Sequence, residues 1–339
     1  MAVIRNRGNL QFQAIVRRRG YEPLSKTFNT LKEAKDWALT AESEMVRGVY
    51  VSRVEAERTT LCEVIEQYIR EVCPKHKGCY SETLRLQALA KTPLGCRFVA
   101  TLKPLDFARY RDERLKIRKP GTVQREMALF SAVLEVGRKE WGLHIENPLR
   151  MVKQPKANNE RSRRLSPEEQ ATLLAEMDKD TRSANGALAP GGVRNTWVRP
   201  LVLFALETAM RRGEMLSLRW ENIDLVKRVA FLPDTKNGDS RGVPLSSAAI
   251  AVLQALPRSI DGRVFMTTGE AVKQAFTRCC KRAGLVDLHF HDLRHESTTR
   301  LARKLPNIIE LARVTGHRDV NMLRRYYNIT AEELALKLA

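Results

Sequence analysis

Two helix-breaking residues, Pro306 and Gly316, cut the otherwise helical stretch from His289 to Thr330 at fixed places. Around them Leu301, Leu305, Ile308, Ile309, Leu311 and Ala312 supply apolar positions that helices here would bury. The spacing predicts a helical hairpin and a following helix. Such a hairpin gathers His291 and Arg294, then His317, then Tyr326 into one region. A guanidinium with imidazoles suits an anionic phosphate, and a tyrosine hydroxyl beside them can act as a nucleophile. Taken singly, each piece is commonplace: an HxxR pair on a helix surface, a Gly-His helix stop, a Tyr-Tyr packing pair. Their order and spacing together carry the information.

The charge balance names the kind of partner. With 59 Lys and Arg against 39 Asp and Glu, the 339-residue chain carries a net charge of +20. Such an excess points to a polyanion, nucleic acid first and a membrane surface second. The length allows two or three domains. No segment approaches the ~20 apolar residues of a membrane span, and the N-terminus lacks the apolar run of a signal peptide. The expectation is a cytosolic protein without a membrane partner. Cys62, Cys73, Cys79, Cys96, Cys279 and Cys280 do not form the disulfide framework of a secreted domain. The C-x-x-H-x-x-C spacing at Cys73, His76 and Cys79 is unusual for zinc, so the six read as free thiols.

Residues 1–50 read as a three-stranded sheet on one helix. Val3–Arg5, Leu10–Arg18 and Pro23–Phe28 are the strands, with turns at Gly8-Asn9 and Gly20. Thr30 and Glu33 begin a helix over 31–47, with Leu31, Ala34, Trp37 and Ala38 on one face. Arg5, Arg7, Arg17, Arg18 and Arg19 fall on these strands or their turns, and residues 1–30 hold one acid against six bases. That pattern suits a sheet laid in a DNA groove. Residues 48–59 read as a linker. A four- to five-helix bundle is predicted over 59–152, opened by Thr60 and Glu63, with Leu61, Val64, Ile65 and Tyr68 at helical spacing. Its last long helix, 121–141, has Leu129, Val133 and Val136 as its main stripe. Lys75, Lys77, Arg114, Lys116, Arg118, Lys119 and Arg125 at its loops and ends suit phosphate contacts. Residues 151–165 read as a basic linker.

A third domain is expected over 165–330. Ser166-Pro-Glu-Glu starts a helix. An apolar helix over 198–209 runs into Thr208-Ala-Met-Arg211-Arg-Gly-Glu214. Arg212, one residue on, is rotated by about 100° from Arg211 on a helix, so the two cannot face one phosphate alike. Val229–Leu232 and Arg241–Leu245 flank the Asn237-Gly238 hairpin turn, beside which stands Lys236. Residues 246–255 and 269–283 read as helices, and 331–339 as a short helical tail.

Taken together, T-A-M-R-R-G-E, then T-K-x-G before V-P-L, then H-x-x-R, then Gly-His with a tyrosine ten residues past that glycine, resemble the tyrosine recombinases of the phage-integrase family. The chain departs from the family pattern at Ala209, where a glycine is usual, and at Thr315, where the leucine of L-G-H is frequent. That leucine is a packing residue, so the second departure is expected to matter little. The resemblance implies a multidomain, mainly α fold with small β-sheets: an arm-type DNA-binding domain over 1–50, a core-binding bundle over 59–152, a mixed α/β catalytic domain over 165–330, and a tail over 331–339 that docks on an adjacent subunit. It implies that Arg211 and Arg294 bind the non-bridging oxygens of a phosphodiester, with Glu214 orienting Arg211. Tyr326 would attack phosphorus to give a 3′-phosphotyrosyl bond, Lys236 would protonate the leaving 5′ oxygen, and His317 would donate a hydrogen bond to the phosphate. His291 is the candidate acceptor of the Tyr326 proton. No cofactor or metal is implied. The implied partners are double-stranded DNA, a homotetramer on DNA, and a DNA-bending accessory protein or excisionase, within a bacterial cytoplasm. A DNA invertase of the same family, a type IB topoisomerase and a non-catalytic DNA-binding regulator are the competing readings.

Overall fold

The computed structural model describes residues 2–48, 54–157, 161, 163–179, 181, 191–233, 240–327 and 335. The chain divides into two compact units, Met1–Asn159 and Glu160–Ala339.

The first unit holds two separate cores. Strands β1 (Ala2–Gly8), β2 (Gln11–Val16) and β3 (Leu24–Phe28) form an antiparallel sheet in that order. Helix α1 (Leu31–Val46) covers one face, burying Ala34, Ala38, Ala41 and Met45 against Ala14, Val16 and Leu24. Thr30 caps it by accepting from the Glu33 N–H at 3.2 Å. Leu31 was expected on the buried face but is exposed, because it precedes the first turn that the sheet covers. Arg5, Arg7, Arg17 and Arg19 are exposed and Arg18 is half-buried.

The second core belongs to a helical bundle: α2 (Val54–Arg58), α3 (Leu61–Glu71), α4 (Cys79–Ala90), α5 (Pro104–Leu115) and α6 (Pro120–Glu140), with a 3₁₀ turn at Pro148–Met151. Residues 54–58, expected as linker, are helical, and Ala56 is fully buried in the bundle core. The capping box of Thr60 and Glu63 is complete, and Leu61, Val64, Ile65 and Tyr68 are all buried. On α6 the buried stripe is Val123, Met127, Phe130, Val133 and Leu134; Leu129 and Val136 lie at its margin. Arg114 is not a free surface cation. Its Nε and Nη2 fork onto Glu126 of α6, which is 8% exposed and also accepts from the Tyr110 hydroxyl at 2.8 Å. A buried carboxylate needs such partners. Lys116, Arg118 and Lys119, between α5 and α6, are exposed.

The second unit is built on one large core containing Phe204, Phe265, Phe276 and Leu293. Its helices are α7 (Pro167–Asp178), α8 (Val198–Thr208), α9 (Arg212–Leu216), α10 (Ser247–Gln254), α11 (Gly269–Arg282), α12 (Phe290–Lys304) and α13 (Ile308–Thr315). Strands β4 (Ile223–Asp224), β5 (Val229–Leu232) and β6 (Arg241–Pro244) form a second antiparallel sheet, in which Ala230 faces Val243. Lys236 and the tail over 331–339 lie outside the described residues, apart from position 335. The element expected after Gly316 is a 3₁₀ helix, Val320–Tyr326. It packs on α12 and α13 through Leu323, which is fully buried with Leu311 and Ala302. Ile309, expected in that core, is exposed.

The end of the predicted linker is held to this unit. Arg161 forks onto Asp292, Arg163 pairs with Glu169, and Arg164 reaches Glu296. Leu165 enters the core. Among the described residues no helix is long and apolar enough to cross a membrane.

Candidate active site

Three helix ends converge. Helix α8 stops at Ala209, which takes a left-handed conformation (φ 50°). A residue with a Cβ is strained there by about 1–2 kcal/mol. The strain has a counterpart: the Ala209 carbonyl accepts from the Arg294 guanidinium of α12. Helix α13 stops at Gly316, also left-handed (φ 69°), where glycine carries no such penalty. That turn exposes two carbonyls. Thr315 O accepts from Arg294 Nη2 at 2.7 Å, and Gly316 O accepts from Arg211 Nη2 at 3.1 Å. One helix terminus therefore positions both arginines.

Glu214 ties the third end in. Its carboxylate accepts from the Arg211 N–H at 2.8 Å and from Arg211 Nη1 at 2.8 Å. It also takes a fork from Arg241 of β6, at 3.1 and 2.8 Å. Burial would raise the Glu214 pKa, yet these donors bring it down to about 2. Arg294 is 5% exposed; burial and the nearby Arg211 lower its pKa to about 10, so it stays cationic at neutral pH. Two guanidinium groups thus share one carboxylate, and Arg294 beside them adds a third positive charge, leaving an excess of positive charge in the site. Arg212 turns elsewhere, toward Gly269 at the start of α11.

His317 follows the α13 turn. Its Nδ1 is 2.7 Å from Thr315 Oγ1, and its Nε2 lies 3.4 Å from Arg294 Nη2. Burial, then Arg294, Arg211 and Arg241, depress its pKa to about 4. Thr315 is fully buried and touches both partners, which its sequence assignment as a packing substitution did not foresee.

The two tyrosines are in different chemical situations. Tyr327 Oη donates to the Leu305 carbonyl at 2.7 Å. Tyr326 Oη lies 2.6 Å from Nδ1 of His295, and the rings stack at 6.3 Å. Arg325 Nη2 donates to the same Nδ1 at 3.0 Å. A guanidinium has no acceptor, so this nitrogen carries the lone pair and the tyrosine O–H also donates to it. Burial, His291 and Arg325 hold the His295 pKa down at about 4. Burial raises the Tyr326 pKa, with Arg325 opposing.

His295 is the residue that sequence reasoning missed. His291, the expected acceptor, is exposed, and its ring meets that of His295 edge-on at 5.0 Å. The available signal was spacing: His295 follows His291 by four residues, hence on the same helix face. Arg241 was also missed, and nothing local marks it.

An arrangement of clustered guanidinium groups beside a tyrosine whose proton already has an acceptor suits phosphodiester chemistry. Residues 163–333 match the phage integrase family. A shufflon-specific DNA recombinase of Escherichia coli is 37% identical over 290 residues, covering 83% of this chain and 72% of that protein. A Haemophilus influenzae protein described as an integrase/recombinase is 37% identical over 332 residues, covering 96% and 87%. A lambda integrase tetramer bound to a Holliday junction has the same fold, with TM-score 0.63 at 17% identity, covering 93% of this chain and 95% of that one. The chain belongs to the phage integrase family. It is a site-specific tyrosine recombinase, an enzyme that cuts and rejoins DNA strands.

Proposed function

We propose that Tyr326 is the nucleophile and that its proton passes to His295. The observation that carries this is the 2.6 Å contact between the Tyr326 hydroxyl and His295 Nδ1, while the Tyr327 hydroxyl is engaged with a backbone carbonyl. Attack on phosphorus joins Tyr326 to the 3′ phosphate and releases a 5′ hydroxyl. Arg211 and Arg294, held by the α13 turn, neutralise the charge that grows on the non-bridging oxygens. Glu214 and Arg241 act by holding Arg211. Lys236 protonates the leaving oxygen. The covalent bond conserves the energy of the one broken, so rejoining requires no nucleotide. The test is a nicked suicide duplex: the wild type and Tyr327→Phe should form a denaturant-resistant DNA adduct, and Tyr326→Phe none. An adduct with Tyr326→Phe refutes the assignment.

The substrate is double-stranded DNA of a prophage or other mobile element, recombined by a homotetramer inside the bacterial cell. Residues 1–50 bind arm-type sites through Arg5, Arg7, Arg17, Arg18 and Arg19. The 59–152 bundle grips the core site through Lys116, Arg118 and Lys119, the 165–330 domain carries the chemistry, and the 331–339 tail links protomers. A DNA-bending protein or excisionase sets direction. The similarity to a shufflon-specific recombinase favours a second reading, DNA inversion. Recombination on plasmids with directly or inversely repeated sites separates the two.

A further inference from the structure

We propose that Thr315 is a positioning residue that holds His317 as its Nδ1–H tautomer, so that His317 meets a DNA phosphate only through Nε2, after taking up a proton there. The tautomer rests on two independent contacts. Thr315 Oγ1 donates to the Leu311 carbonyl at 2.6 Å. A hydroxyl has one proton to give. Toward His317 Nδ1, 2.7 Å away, the same oxygen therefore accepts, and Nδ1 carries the hydrogen. On the other side of the ring, Arg294 Nη2 faces Nε2 at 3.4 Å. A guanidinium only donates, so Nε2 is the lone-pair nitrogen. Both sides of the ring require the same form.

The threonine is built for this. It is the last residue of α13, fully buried, and its branched Cβ leaves few rotamers open. Its backbone carbonyl holds Arg294 while its hydroxyl holds the imidazole, so one residue sets two groups of the site. Leucine or valine at this position offers Nδ1–H no acceptor, and the ring is free to exchange tautomers.

The groups facing His317 are Arg294 and His295 of α12, Arg211 at the start of α9 and Arg241 of β6. Burial and these three cations, two of which share Glu214, keep the ring neutral while no phosphate is bound. In that state Nε2 is an acceptor and has no hydrogen for a phosphate oxygen. A phosphate entering among the arginines offsets part of their positive charge and offers Nε2 an acceptor, so Nε2 gains a proton from solvent. Thr315 accepts from Nδ1–H equally in the neutral and cationic ring, so the imidazole stays in place as it charges. This last step rests on the phosphate site proposed above; the tautomer does not.

The experiment is nitrogen NMR of the free, full-length protein labelled with ¹⁵N-histidine, with the His317 signals assigned by their loss in His317→Gln. Near pH 7.5 the wild type and Thr315→Ser should show a protonated Nδ1 and a bare Nε2. Thr315→Val should move toward a protonated Nε2. In single-turnover cleavage of the suicide duplex, wild type and Thr315→Ser should lose rate by up to about tenfold per pH unit above the pKa of the bound complex. Thr315→Val should flatten that limb. A wild-type His317 protonated on Nε2 overturns the proposal without any substitution at Thr315. So does a Thr315→Val protein with the wild-type tautomer and pH limb. A protein that forms no adduct at any pH instead sinks the nucleophile assignment, while the spectra still decide the tautomer.

Discussion

Replacing Glu214 by Gln keeps the side-chain shape and removes only the charge that Arg211 and Arg241 share. The cost follows from the carboxyl's own titration. Its pKa falls from 4.5 to about 2 on folding. At about 1.36 kcal/mol per pH unit, this corresponds to about 3 kcal/mol of stability at neutral pH. Solvent screening removes little of it, since Glu214 is 5% exposed. The sign is that of a depressed carboxylate: the stabilisation is complete above about pH 5 and is lost as pH falls toward 2. Glu214→Gln should therefore be about 3 kcal/mol less stable than wild type at pH 7, and the gap should close steadily below pH 4.5. Other carboxylates titrate in both proteins and cancel. The assay is urea unfolding at pH 7, 5, 4 and 3, followed by Trp197 and Trp220 with Trp37 and Trp141 replaced by Phe, so that only the second unit reports. A gap under about 1 kcal/mol at pH 7, or one that does not change with pH, would show that the shared carboxylate does not hold the arginines as described.

His295→Gln should slow single-turnover cleavage by about 10²-fold or more at pH 7, within the usual range for removal of a proton acceptor. The deficit should shrink as pH rises toward the tyrosine's own range, and wild-type cleavage should fall below pH about 4, where His295 becomes charged. Gly316→Ala should cost at least about 1 kcal/mol by its left-handed backbone. Its new Cβ would also stand 2.4 Å from Arg241 Nη1, so adduct formation should fall further than the melting temperature accounts for. Replacing exposed Arg5 and Arg7 with Gln in the full chain should reduce the salt slope of DNA binding by about 0.9 for each phosphate left without its cation; an unchanged slope would make them a solvated surface.

The helix boundaries around the site were readable because their signals are local. A threonine three residues before a glutamate, a proline at a first position, or a glycine after an apolar run acts within one turn of chain. The same holds for the order of Arg211, Arg294, His317 and Tyr326 along the chain, and the proposal of Tyr326 over Tyr327 began from an offset counted in the same way. The N-terminal sheet was legible for a related reason: strand alternation and turn residues are short-range patterns.

What joined these pieces was not local. Arg241 lies 27 residues from the Glu214 it shares with Arg211, and Arg161 lies 131 residues from Asp292. No neighbour in sequence marks either pair. His291 and His295 stand one turn apart on the same helix, and nothing in that turn says which of them meets a hydroxyl. The packing of the 320–326 turn against α12 decides it, by bringing Tyr326 to His295 Nδ1. Thr315 is the sharpest case. In sequence it is a departure at a position where an apolar side chain is frequent; in the fold its hydroxyl lies between the Leu311 carbonyl and an imidazole. Caps, turns and periodicity depend on bonds spanning three or four residues, whereas burial and the pairing of charges depend on which helix ends meet, and that is set only when the whole core packs.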